Sequence, residues 1–349
     1  MKQKTFLLLV IAACIMSCEK SSESDVTQET PIAQEIDMSD FYLYTEEEEF
    51  TLKSSSDEGP MCGSMIALNR QLQENPRLYN KMYTIELYTR RHTSKANTTV
   101  NSKIGDVDVP PIEDGLGIIN LPVYIHIVYP DANSAISDAQ VTSQMNVLNS
   151  DFRDRNIDQL PSLSTFANDA TDAGFSFSLA GVFRHNNPTI YWGTKNLVKI
   201  LYPPITPETH LNIWVCKIGE GILGLGQFPG GDPSTDGILV SGENFGFTDS
   251  ENAGSGRIAI HEIGHYLNLR HIWGDGACRK DDFVTDTPTA SGPYFGCPRF
   301  PSMGCRSADM TMNYMDYTYD ACKYMFTDGQ RNRMRALFTP GGIRESMIK

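Results

Sequence analysis

His261-Glu262-Ile263-Gly264-His265-Tyr266-Leu267-Asn268-Leu269-Arg270-His271 reads H-E-x-x-H-x-x-N-x-x-H. On a helix, residues i and i+4 share a face, so His261 and His265 point at one spot. Glu262 lies one residue round, within reach of a water at that spot. Two histidines and an adjacent glutamate in this spacing are the ligands and general base of a zinc hydrolase. His271 follows six residues after His265, and a straight helix would turn it away. The backbone must therefore break near Asn268 to bring it back. Three imidazoles and an open fourth position suit a catalytic ion, whereas a structural zinc is closed by four protein ligands.

The flanks support a helix. Ile258-Ala259-Ile260 are apolar, and Ile263, Tyr266 and Leu267 continue a buried side at helical spacing. The five-residue pattern alone would also fit a surface helix that carries two histidines. The third histidine argues against that.

With these residues in view, the chain resembles the metzincin clan of zinc peptidases, whose helix reads H-E-x-x-H-x-x-G-x-x-H. Within the clan it is most similar to the pappalysin family. Asn313-Tyr314-Met315-Asp316-Tyr317 matches the clan's Met-turn. Leu211 to Cys216, then Gly224-Leu225-Gly226-Gln227-Phe228-Pro229-Gly230-Gly231, resembles the strand region before the family's zinc helix. Asp320-Ala321-Cys322, Met325-Phe326-Thr327 and Gly329-Gln330 extend the similarity. It spans roughly Leu121 to Phe338. The departure is Asn268, where the family usually has Gly. Asn is the next-best residue for a left-handed backbone, so the break is still expected.

The resemblance implies an α+β fold of metzincin type. It has a twisted mixed sheet, long backing and active-site helices, and an irregular lower subdomain with the Met-turn. It implies one catalytic Zn²⁺ on His261, His265 and His271, peptide hydrolysis by a water on that ion, and Glu262 as general base. Tyr317 would stabilise the oxyanion, Met315 would pack beneath the ligands, and Asp320 would shape a pocket favouring Arg or Lys after the scissile bond. It favours disulfides Cys278–Cys305 and Cys297–Cys322. Substrate would add as an antiparallel strand to an edge expected at Ile222 to Phe228. The acidic stretch Gly274-Asp275-Gly276, Asp281-Asp282 and Asp286 suits a calcium loop, with Asp286 as a ligand; a solvated acidic loop fits as well.

The 349 residues fit a signal, a pro-segment and one catalytic domain. Lys2 and Lys4, the apolar run Phe6 to Ala13 and Ile15-Met16-Ser17-Cys18 read as an export signal, too short to span a bilayer. Ile-x-Ser-Cys resembles a bacterial lipoprotein box, which would leave Cys18 as a lipidated N-terminus; plain signal cleavage is the alternative. We expect 1–17 as signal, 18–59 as an acidic tether, 60–112 as pro-segment and 113–349 as the catalytic domain. A net charge of −14 argues against nucleic acid and against a polybasic membrane contact, so a lipid anchor would be the one membrane link. Past the signal and Cys18, the cysteines Cys62, Cys216, Cys278, Cys297, Cys305 and Cys322 include no C-x₂₋₄-C pair, which disfavours a second zinc site.

Leu121 to Tyr129 reads as a central strand, with His126 a packed core residue. Ser137 to Gln140 reads as a capping box opening a helix that buries Val141, Met145, Leu148 and Phe152. Ile66 to Glu74 is helix-capable, and mixed polar sequence follows it. Cys62, followed by Gly63, stands apart from the other cysteines, and the resemblance suggests a latent-state switch in which its thiolate ligates the zinc. Two readings compete: pairing with Cys216, although Cys216 itself reads as buried and reduced, or an idle thiol at Cys62. Release would follow cleavage after Arg90 or Arg91, or elsewhere before Leu121. The rival function is a catalytically silent surface lipoprotein that binds peptide or glycan; the intact ligands and base speak against it.

Overall fold

The computed structural model describes residues 35–43, 61–94, 110–156, 166–247 and 255–348. Residues from Ile36 onward form one unit. The signal and Cys18 lie outside the described residues. No described helix is long and apolar enough to cross a membrane.

The strands are β1 (Met61–Cys62), β2 (Ile119–Tyr129), β3 (Phe175–Asn186), β4 (Leu211–Cys216), β5 (Ile222–Gly226) and β6 (Ile238–Ser241). They form one twisted mixed sheet in the order β1-β5-β6-β4-β2-β3. All neighbours run parallel except β5 against β6. Parallel strands in a sheet covered on both faces read as continuous apolar runs. This is why every residue of β4 and β6 is buried. The central position of β2 follows the expected pattern, and His126 packs there, its Nε2 3.0 Å from Asn212 Oδ1.

One face of β2, carrying Leu121, Val123, Ile125 and Ile127, packs on helix α3 (Asp138–Asp151) through Val141, Met145 and Leu148. Ser137 caps α3 by accepting from the Gln140 amide at 3.1 Å. The Gln140 side chain does not return to Ser137; it donates to the Gly242 and Phe245 carbonyls, so the box is half-formed and Gln140 ties down a loop instead. The opposite face packs Trp214, Leu225 and Leu239 on Trp192 and on Val198 of the short helix α4 (Leu197–Leu201).

The zinc-motif helix α5 (Arg257–Tyr266) lies on the α3 side of the sheet. Below it, the chain is irregular apart from the two-residue strands β7 (Met303–Gly304) and β8 (Ser307–Ala308). Disulfides Cys278–Cys305 and Cys297–Cys322 staple this region in the expected pairing. Loops of this length give about 3.5 kcal/mol each in the chain-entropy picture. Helix α6 (Asp328–Ala336) closes the domain, opened by a full capping box between Thr327 and Gln330.

Before the catalytic part, helices α1 (Ser64–Glu74) and α2 (Arg77–Thr93) follow β1. The second was not evident from its polar composition. It buries Leu78, Met82, Ile85, Glu86 and Thr89. The plain tether expected for 18–59 is corrected over 36–43. There Leu43 is buried, Phe41 meets the rings of Tyr79 and Phe283, and Tyr42 hydrogen-bonds to the Gly274 and Asp281 carbonyls. Aromatic side chains explain it: they remove more apolar surface from water than the surrounding Ser and Glu can keep hydrated. Arg90 and Arg91 lie inside α2, with Arg90 paired to Glu86 and Asp40, so neither offers the extended chain that a protease takes.

Candidate active site

The polypeptide builds the site from its glycines outward. At the start of α5, Asp320 Oδ2 accepts from the amides of Ser255 (2.9 Å) and Arg257 (3.0 Å). A carboxylate there satisfies free helix amides and complements the helix dipole. At its end, Leu269 donates to the Gly264 carbonyl (2.9 Å) and Asn268 to that of His265 (3.0 Å). These two bonds make a Schellman motif with Asn268 as the left-handed residue at φ 72°. The break expected at Asn268 is therefore present, with Asn in place of Gly.

The break brings three imidazoles together. His265 Nε2 lies 3.2 Å from His261 Nε2 and 3.2 Å from His271 Nε2. Each Nδ1 has its own acceptor: the Tyr314 carbonyl for His261 (2.7 Å), the Leu269 carbonyl for His265 (2.9 Å) and the Asp275 carboxylate for His271 (2.6 Å). Protons on Nδ1 leave bare lone pairs on all three Nε2 atoms. Three lone pairs so close repel unless a cation sits among them. A tetrahedral zinc with the usual Zn–N bonds would space its nitrogens about 3.3 Å apart, so the donors fit that ion. Burial and the neighbouring imidazoles push His261 and His265 down, which keeps them neutral and ready to ligate.

Two glycines let β5 approach. A Cβ on Gly224 would stand 2.6 Å from Glu262 Cγ, and one on Gly226 would stand 2.3 Å from the Glu262 carbonyl oxygen. On the other side, a Cβ on Gly264 would meet Met315 Sδ at 2.4 Å. Met315 is fully buried under the helix, as expected. The preceding Tyr314 carbonyl orients His261, which gives the Met-turn its use. The Tyr317 ring lies 4.9 Å from that of His271.

β1 fills the cleft. It pairs parallel with β5, and Gly63 donates to the Gly224 carbonyl at 2.8 Å. Cys62, His261, His265 and His271 offer ligand atoms all within 4.8 Å of one another. Cys62 and Cys216 are both free, so the competing disulfide is not formed. Ser64, which sequence reasoning missed, donates to Glu262 Oε2 at 2.8 Å and accepts from the Gly226 amide at 2.7 Å. The Cys62 thiol lies 3.4 Å from the same carboxylate oxygen. Burial pushes Glu262 up to about 7, against the pull of Ser64 and Cys62. Burial, then the Glu262 charge, pushes the Cys62 thiol well up; a divalent cation beside it would reverse that.

Residues 224–339 match the family described as Pregnancy-associated plasma protein-A. The extracellular metalloprotease of Arthroderma benhamiae is 30% identical over 232 residues, covering 63% of this chain and 72% of that protein. Mature mirolysin of Tannerella forsythia, solved with a cleaved peptide, is 41% identical with a TM-score of 0.64, over 66% of this chain and 96% of the other. A mutant of Tannerella forsythia promirolysin is 36% identical with a TM-score of 0.71, over 82% of this chain and 97% of the other. The chain belongs to the pappalysin family. Its fold is that of a metzincin, and it is a zinc metalloendopeptidase.

Other pappalysin-type expectations fare differently. Asp320 sits at the mouth of α5 with Oδ2 engaged in capping, so half of its carboxylate is already used. Buried Lys323 feels the Asp320, Asp316 and Glu262 charges, a cation that sequence reading overlooked in this wall. The expected calcium ligands do not converge. Asp275 faces His271, Asp282 holds Thr287, and Asp286 accepts from the Thr327 hydroxyl and the Gly329 amide, both at 2.7 Å. Among the described residues, the histidine and cysteine cluster is the one group of three or more candidate ligands drawn together.

Proposed function

We propose that His261, His265 and His271 hold the zinc, that Glu262 is the general base, and that residues 60–112 keep the 113–349 catalytic domain latent through Cys62 and Ser64. The observation that carries this is the convergence of three bare Nε2 atoms beside a buried glutamate. When bound, zinc supplies a Lewis acid that polarises the peptide carbonyl and makes water acidic near neutrality. Glu262 takes a proton from the attacking water, whose oxygen bonds to the carbonyl carbon. Glu262 then hands that proton to the amine nitrogen as the C–N bond breaks. The Tyr317 hydroxyl donates to the developing oxyanion. The Gly226 amide and Gly224 carbonyl, freed of Ser64 and Gly63, hold substrate as an added strand. Asp320 favours Arg or Lys after the scissile bond through its free oxygen. Peptide-library cleavage by the processed enzyme, with and without chelator, tests both parts. Cleavage that survives zinc removal would reject the mechanism; sites with no basic bias would reject the Asp320 pocket.

The likeness to promirolysin supports latency, and so does chain direction. β1 runs parallel to β5, opposite to an antiparallel substrate, so its peptide bonds meet the base in the wrong orientation. Cys62 would complete the zinc shell as a thiolate, and Ser64 occupies both Glu262 and a backbone donor that substrate needs. In the uncut chain, Cys62→Ala is expected to unmask hydrolysis. Ser64→Ala should raise it less, about 10- to 100-fold, the worth of one hydrogen bond to a charged group. If uncut Cys62→Ala is as silent as the parent and mass mapping finds Cys62 in a disulfide, the switch is wrong. Export follows the extracellular relatives. Lipidation of Cys18 rests on Ile15 to Cys18 alone, and the mass of the mature N-terminus decides it.

A further inference from the structure

Of the three histidines, His271 alone lies outside the helix. Its Nδ1 meets Asp275 Oδ1 at 2.6 Å, with each side chain 1% exposed. The other two histidines lean on backbone carbonyls, which carry no net charge. Trp273 stacks on the His271 ring at 4.3 Å between centroids and 3° between planes. The second Asp275 oxygen, Oδ2, is buried with no hydrogen-bond partner. The carboxylate's one polar contact is thus the imidazole. Its backbone is left-handed at φ 56°, next to Gly274 at φ 60°, a tight turn that swings the carboxylate back over the chain it just left.

We infer that Asp275 is a positioning residue for His271, fixing its tautomer and placing a full negative charge behind that ligand alone. This rests on the zinc reading above. Three neutral imidazoles leave the ion's double charge unbalanced in a buried site, where desolvation is costly, and in the uncut chain a Cys62 thiolate would offset only one unit of it. A carboxylate behind one of them offsets part of that charge and raises the basicity of Nε2. Trp273 blocks rotation of the ring, so the proton on Nδ1 and the lone pair on Nε2 keep their places. Loss of such a partner typically weakens metal binding about 10- to 100-fold.

The experiment uses the full chain and two variants. Asp275→Asn keeps a left-handed residue and an oxygen acceptor and removes only the charge. Asp275→Ala removes both. Zinc affinity is measured by competition with a chelator, the visible spectrum is recorded with cobalt in place of zinc, and the thermal midpoint is read on metal-free protein. The expected result is zinc binding about 10- to 100-fold weaker in Asp275→Ala, a smaller loss in Asp275→Asn, altered cobalt bands in both, and metal-free midpoints close to the parent's. Parental zinc affinity and parental cobalt bands in both variants would overturn the inference, as would a lowered metal-free midpoint with zinc affinity intact. His271→Ala separates the two readings. If the parent binds zinc and His271→Ala weakens it while the Asp275 variants match the parent, only the role of Asp275 falls. If the parent binds none, the zinc reading falls with it.

Discussion

Glu262→Ala should lower peptide hydrolysis by the processed enzyme by about 10²–10⁴-fold, the usual worth of general acid–base catalysis. Zinc should stay bound, because the three imidazoles and their Nδ1 acceptors are untouched. The motive is the position of Glu262, on the turn between two ligands and fully buried against β5. Glu262→Gln should fall nearly as far, since the amide fills the space and cannot accept the proton. Turnover within a few-fold of the parent, at equal zinc content, would remove Glu262 from the mechanism.

Glu86 carries the next largest expected effect. It lies on α2, buried, and pairs with Arg333 of α6 through both terminal guanidinium nitrogens and with Arg90 at 2.8 Å. Arg333 also donates to the Asn268 carbonyl at 2.8 Å, so the pair ties the N-terminal helices to the break in the zinc helix. Burial would raise the Glu86 carboxyl, but Arg333 and then Arg90 outweigh it and hold it down at about 2. A depressed carboxyl contributes stability that is complete above its free value near 4.5 and lost as pH falls toward 2. Docking of residues 61–94 should therefore weaken on acidification through that window, by on the order of 3 kcal/mol. Glu86→Gln should show loosened docking even at neutral pH, because it leaves Arg333 buried without its counter-charge. Hydrogen exchange of α2, followed from pH 3 to 7 in the uncut chain carrying Glu262→Ala, reads this directly. Identical pH profiles with and without Glu86→Gln would exclude the latch.

The zinc helix was legible because its information is local. Ligand spacing, apolar flanks and one left-handed residue all lie within Ile258 to His271. β2 and α3 were legible for the same reason, through strand composition and a repeating apolar face. Helix α2 was not. Its buried side carries Glu86 and Thr89, and Thr89 accepts from the Asn268 side chain at 3.4 Å. Such residues look like surface until their partners, some 180 to 250 positions away, are in place. Ser64 escaped notice likewise, since nothing near it announces a glutamate in another element. Asp275 was visible only as one more acidic residue in a loop, and composition suggested calcium. A carboxylate's role depends on what it faces, and that is a matter of tertiary geometry. The tether failed over 36–43 because the few aromatics mattered more than the polar average.

β5 owes its two glycines to the zinc helix beneath it, yet the same strand is the rim of the catalytic sheet. With β1 removed, as the proposed activation requires, the Gly224 carbonyl and Gly226 amide would face water as an unpaired edge, the kind of surface on which strands of neighbouring molecules stack. Glycine makes a poor template for such stacking, because it loses much backbone freedom when ordered and offers no side chain to grip. The enzyme is thereby left with an edge too weak to recruit strands indiscriminately. A peptide is retained there only if other contacts in the cleft add to the pairing, so the close fit between strand and helix also acts as a filter against self-association.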